Sequence, residues 1–129
     1  LGSAWGLLAA VRRGVELQAA ADRVIRACAL PGETPTWVAR EGGRIEREYG
    51  LLYARVRKLV VGPDLFALHR RAGDLLNYHV EMLDAALNLA FPKYRNPRLE
   101  ARRVRLDGLG PPAEDLRAVG SELRHRLHS

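Results

Sequence analysis

The run from Pro63 to Phe91, PDLFALHRRAGDLLNYHVEMLDAALNLAF, carries one glycine, Gly73, and no proline after its first residue. Its polar residues Arg70, Asp74, Asn77, Glu81, Asp84 and Asn88 recur every three or four positions, which sets them along one stripe of an α-helix. Leucines, alanines, Val80 and Met82 fill most of the remaining circumference. An apolar arc wider than half a helix cannot be covered by one neighbour. The segment therefore reads as the inner helix of a bundle, packed on at least two sides.

The flanking sequence supplies the outer helices. Leu8, Val11, Val15, Ala21, Ile25 and Cys28 recur at close to helical spacing until Leu30-Pro31-Gly32 ends the pattern. Thr34-Pro35 reads as an N-cap followed by proline at the first helical position. From there Val38, Gly42, Ile45, Tyr49, Leu52, Val56 and Leu59 alternate steps of four and three, a coiled-coil-like seam. Gly42-Gly43 interrupts it, and each glycine costs about 1 kcal/mol against alanine inside a helix. The pair predicts a bend there in preference to a close crossing of two helices. After a proline-rich loop, residues 98–105 read as a short basic helix. The last helix has Glu114 and Asp115 in its first turn and Arg124, His125 and Arg126 in its last, as the helix dipole favours. The fold expected is all-α, a small helical bundle of four main helices at about 4–29, 35–61, 63–91 and 112–127, with the short basic helix near 98–105.

Charge separates the parts of the chain. Arg70 and Arg71 stand against Asp64, Asp74, Glu81 and Asp84 in the inner helix, which is net acidic within a chain of net charge +6. Of 21 basic residues only Lys58 and Lys93 are lysines. Arginine grips phosphate and carboxylate in a fork geometry that lysine lacks, so an acidic or polyanionic partner fits the composition.

The opening Leu1-Gly2-Ser3 resembles a cloning scar. It predicts that residues 4–129 form a single domain cut from a longer protein. A lone cysteine, Cys28, excludes an internal disulfide and a cysteine zinc site. Together with the absence of a signal-peptide pattern, it leads us to expect an intracellular setting, cytoplasmic or nuclear. No apolar run approaches the roughly 20 residues of a membrane span, so no membrane insertion is expected.

Catalytic patterns are missing: no G-x-S-x-G, no H-E-x-x-H, no P-loop and no G-x-G-x-x-G occurs. His69 and His79 lie about 15 Å apart along a helix and cannot share a metal ion. His79 points toward the apolar arc and reads as a core residue, as does Cys28. We therefore expect no enzyme activity, no metal and no cofactor.

Two binding surfaces are expected. The first makes the chain a helical interaction module or scaffold that binds another protein's helix or peptide, or a second copy of itself. Its contact residues would be Trp37, Ile45, Tyr49, Leu52 and Val56 along the seam, because tryptophan is enriched at binding hot spots and a seam so regular can pack against another chain. Trp5 is a second anchor of the same kind. The alternative is nucleic-acid or anionic-phosphate binding through Lys93, Tyr94, Arg95, Arg98, Arg102, Arg103 and Arg105. There cations could grip a phosphate backbone and an aromatic ring could stack a base.

The stretch from His69 to Asn77, HRRAGDLLN, resembles the groove-inserting helix motif of the apoptosis regulators. The resemblance implies Leu65, Ala72 and Leu76 as groove anchors and Asp74 as the partner of an arginine. It departs where His69 replaces the expected leucine, and no Asn-Trp-Gly-Arg follows.

Overall fold

A computed structural model describes residues 2–128. The described chain is an all-α bundle: α1 (Gly2–Glu16), α2 (Gln18–Ala29), α3 (Thr36–Lys58), α4 (Phe66–Ala90), α5 (Pro97–Arg103) and α6 (Pro111–His128). A 3-10 turn, Pro63–Leu65, leads into α4. Helix α4 packs against all five others, as its wide apolar arc requires. Ala72, Leu76, Leu83 and Ala86 are fully buried along it. Its polar stripe stays largely outside, bonded along itself by Asn77 to Glu81 and Asn88 to Asp84.

The first expected helix is two. The run is interrupted at Leu17, although Leu17 N–H still donates to Arg13 O and Ala21 N–H to Leu17 O. Beside the break, the Tyr49 hydroxyl donates to the Gly14 carbonyl at 2.6 Å. A side chain that enters the backbone ladder is a recognised cause of helix bending.

Helix α3 corrects three further expectations. It runs unbroken through Gly42-Gly43, because Gly42 sits where α3 crosses α2 and α4. A Cβ there would lie 2.8 Å from Leu87 Cδ2 and 3.0 Å from Val24 Cγ1. The glycine permits close approach rather than a bend. The helix also begins at Thr36 with Pro35 in the capping position and no side-chain cap. Thr34 is buried, and its hydroxyl accepts from Arg103 at 3.3 Å instead. At the far end α3 stops at Lys58, short of the expected residue 61.

The short basic helix forms. Asn96 caps it by accepting from Leu99 N–H at 3.0 Å. One side of it is anchored by Arg103, only 1 % exposed, which donates to Gly32 O and Thr34 Oγ1 and pairs with Glu100 at 2.7 Å. This arginine ties α5 to the loop between α2 and α3.

Candidate docking surface

The α3 seam faces inward. Val38, Ile45, Tyr49, Leu52 and Val56 are all core residues of this chain. Four of the five expected contact residues, Ile45, Tyr49, Leu52 and Val56, therefore have no face to offer a partner. The physical reason is that α4 needs cover on more than one side, and α3 supplies its most extensive neighbour. The motif resembling apoptosis regulators meets the same fate. Leu65, Ala72 and Leu76 are buried, and only Asp74 points outward.

Trp37 remains outside, 45 % exposed. It stands on the first turn of α3 against the outer strip of α2, and with Leu30, 63 % exposed, it borders a groove of about 610 Å³. The groove is also lined by Ala19, Ala27, Asp22, Arg23 and Arg26. The residues of α2 that face the other way, Ala21, Val24, Ile25 and Cys28, fill the core. The split between a buried and an outer apolar strip on one helix was not read from the sequence. Alanine at positions 19 and 27 was the available signal.

Charges around this groove are unevenly satisfied. Asp22 accepts from Leu109 N–H at 2.7 Å, so it holds the α5–α6 loop. Glu41, one turn beyond Trp37, is paired with Arg44, which holds its carboxyl below the ordinary range. Among the described residues, Arg23 and Arg26 form no salt bridge, and Arg23 acts electrostatically on the Glu41 carboxylate.

A second groove of about 620 Å³ lies beside Phe66, Leu75, Tyr78 and Pro112. It carries both signs of charge, Arg70 and Arg71 with Asp74, and Arg71 is already paired with Asp115 at 3.5 Å. Trp5 has an internal partner, packing edge-on against His128 with ring centroids 5.3 Å apart.

The basic segment divides. Lys93, Tyr94, Arg95, Arg98, Arg102 and Arg105 are exposed, whereas Arg103 is the buried anchor described above and cannot reach a ligand. Arg95 lies 3.6 Å from Glu100, and Lys93 sits over the Tyr94 ring at 5.9 Å.

A second buried polar network, besides that of Arg103 and Thr34, lies between α2, α4 and α6. His79, fully buried, places Nδ1 at 2.6 Å from Leu75 O and Nε2 at 3.1 Å from Gln18 Nε2. The carbonyl requires Nδ1 to carry the proton, so Nε2 accepts from the Gln18 amide. Gln18 also donates to Ala113 O at 3.0 Å and accepts from Arg117 at 2.8 Å. Burial lowers the His79 pKa, opposed by the Leu75 carbonyl and Asp22. The network satisfies itself, and it pins α2 to α4 and α6. Cys28 is likewise interior, and burial raises its thiol to about 11. Among the described residues no group of three His, Cys, Asp or Glu side chains is arranged to hold a metal ion, and no helix is long and apolar enough to cross a membrane.

No family model, curated protein or solved structure matches the chain.

Proposed function

We propose that this domain is a non-enzymatic helical interaction module that docks a protein partner in the groove beside Trp37. The observation that carries the reading is a half-exposed tryptophan and an exposed leucine flanking an alanine-floored groove. A contiguous apolar patch, unlike a singly exposed hydrophobic side chain, marks a docking surface, and tryptophan contributes disproportionately to binding energy. The partner-contact residues are then Trp37 and Leu30, not the buried α3 seam. Selection of displayed helical peptides against the domain tests this. Ligands should lose at least about 30-fold in affinity on Trp37→Ala, the range of a hot-spot residue, while the thermal midpoint stays put. Ligands indifferent to Trp37→Ala would refute it.

A second reading has its own support. Lys93, Arg95, Arg98, Arg102 and Arg105 are exposed around Tyr94, which is itself 75 % exposed. Such a surface suits a phosphate backbone with a stacked base. Titration of a labelled single-stranded oligonucleotide at two salt concentrations tests it. Binding should weaken steeply with salt and fall on Arg98→Glu with Arg102→Glu. No binding at low salt removes this reading.

A further inference from the structure

The shape of the Trp37 groove limits what can fill it. Its floor is the outer strip of α2 from Ala19 to Leu30, with Trp37 as one wall. The surface is mostly carbon from Ala19, Ala27, Leu30 and the Trp37 ring, with Asp22, Arg23 and Arg26 also in the lining. An extended peptide laid there would leave most of its backbone N–H and C=O groups unpaired against the apolar part of that surface, which is costly. Nor do the described residues contain a strand whose edge could pair with one. A helix brings its backbone already bonded. The two alanines allow it to approach closely, and a strip from residue 19 to 30 spans about 16 Å, or three helical turns.

The rim sets the charge of the occupant. Arg23 and Arg26 stand on the lining and form no salt bridge among the described residues, although Arg23 acts electrostatically on Glu41. Asp22 shares the lining and keeps its charge while it accepts from the Leu109 amide, and Glu41 pairs with Arg44, so the lining sets two arginines against one aspartate. Arginines facing an apolar strip are matched by carboxylates flanking an apolar stripe. A second copy of this chain does not supply that pattern. Its acidic stripe on α4 is exposed, but most apolar residues of the same helix are spent in the core, with Phe66 at its first turn the main exception.

We infer that the Trp37 groove binds an acidic amphipathic helix of about three turns, with leucine-like anchors at i, i+4 and i+7. This rests on the docking reading above and assigns its partner's chemistry.

The test uses the whole chain carrying Trp5→Phe, so that Trp37 alone reports by fluorescence. Three synthetic helical peptides of about 16 residues share one leucine stripe and differ only in flanking residues: glutamate, glutamine or lysine. The glutamate peptide should shift Trp37 emission to the blue and bind at least about tenfold more tightly than the glutamine peptide, with the lysine peptide weakest. Raising salt should narrow that gap. Arg23→Glu with Arg26→Glu should reverse the order. If all three peptides shift Trp37 equally, the acidic assignment is overturned while the docking reading stands. If none moves Trp37 emission, the docking reading itself is overturned. Displacement of the glutamate peptide by a single-stranded oligonucleotide would overturn the helix assignment in favour of a phosphate ligand.

Discussion

Adjacent glycines in α3 should respond differently to the same substitution. Glycine to alanine at an unconstrained helical site gains about 1 kcal/mol from propensity. At Gly43 the new Cβ meets only the mobile end of Arg47, at 3.4 Å, so most of that gain should be kept. At Gly42 the Cβ falls 2.8 Å from Leu87 Cδ2 and 3.0 Å from Val24 Cγ1. Leu87 can turn its terminal methyls, but Val24 is fully buried and β-branched, with little freedom at χ1. Overpacking of this kind costs about 1–3 kcal/mol, which cancels or exceeds the propensity gain.

Gly42→Ala should therefore be neutral to about 2 kcal/mol destabilised, and Gly43→Ala stabilised by up to about 1 kcal/mol. The gap between them is about 1–3 kcal/mol, or roughly 3–12 °C in melting temperature for a domain of this size. Urea melts followed by circular dichroism measure it, with the slope checked for constancy. A Gly42→Ala protein as stable as Gly43→Ala would refute close packing at the helix crossing and restore the bend expected from the glycine pair.

Arg103→Ala should cost about 2–4 kcal/mol in urea melts, because it orphans buried groups around Thr34 and Gly32, whereas exposed Arg102→Ala should stay within about 0.5 kcal/mol. Below about pH 6.5, stability should fall with acidification. Unfolded His79 takes up a proton there and the buried, neutral imidazole does not, so the slope approaches about 1.4 kcal/mol per pH unit until the depressed native pKa is reached. His79→Leu should flatten that slope in melts run from pH 7.5 to 5. Cys28 should resist alkylation by iodoacetamide at pH 8 in the native protein and react at once in urea, as mass spectrometry would show.

The inner helix was legible because its own circumference carries the information. Apolar positions on most of the circumference, around a narrow polar stripe, call for an interior placement of residues 63–91. Features that depend on distant side chains were not legible. The break at Leu17 lies beside the carbonyl taken by Tyr49, and the closeness at Gly42 depends on Leu87 and Val24. Arg103 looks in sequence like one cation among six, yet it is the interior anchor of α5. The seam of α3 shows the sharper difficulty. Spacing identifies an apolar face but not its owner. Ile45, Tyr49, Leu52 and Val56 would have the same pattern whether they faced α4 or another protein. The proposed docking surface is made of residues with weak periodic signal, two alanines, a leucine beside a proline and a tryptophan at a helix start.

Excess positive charge is not spread evenly, and this decides how the two binding readings must be separated. Arg13 and Arg44 are taken up by glutamates, Arg117 by Gln18 and Arg103 by the interior. Among the described residues Arg12 and Arg124, which line a separate groove, form no salt bridge. Nor do Arg23 and Arg26 on α2 beside Trp37, or Arg98 and Arg102 on α5 near Tyr94. Both surfaces adjoin the α2–α3 loop, since Arg103 bonds Gly32 and Thr34 there, and a cleft brings Thr36 together with Phe91 and Arg95. Any anionic ligand at this end of the bundle will thus feel both clusters, and salt dependence alone is common to both readings. The aromatic residues separate them. A helix in the groove should lose about 30-fold in affinity on Trp37→Ala and be nearly indifferent to Tyr94→Ala. A nucleic acid stacked on Tyr94 should lose roughly 5- to 100-fold on Tyr94→Ala, the range of one base–aromatic stack, and be nearly indifferent to Trp37→Ala. Equal losses from both substitutions would mean one ligand spanning the loop, and the separation into two surfaces would be wrong.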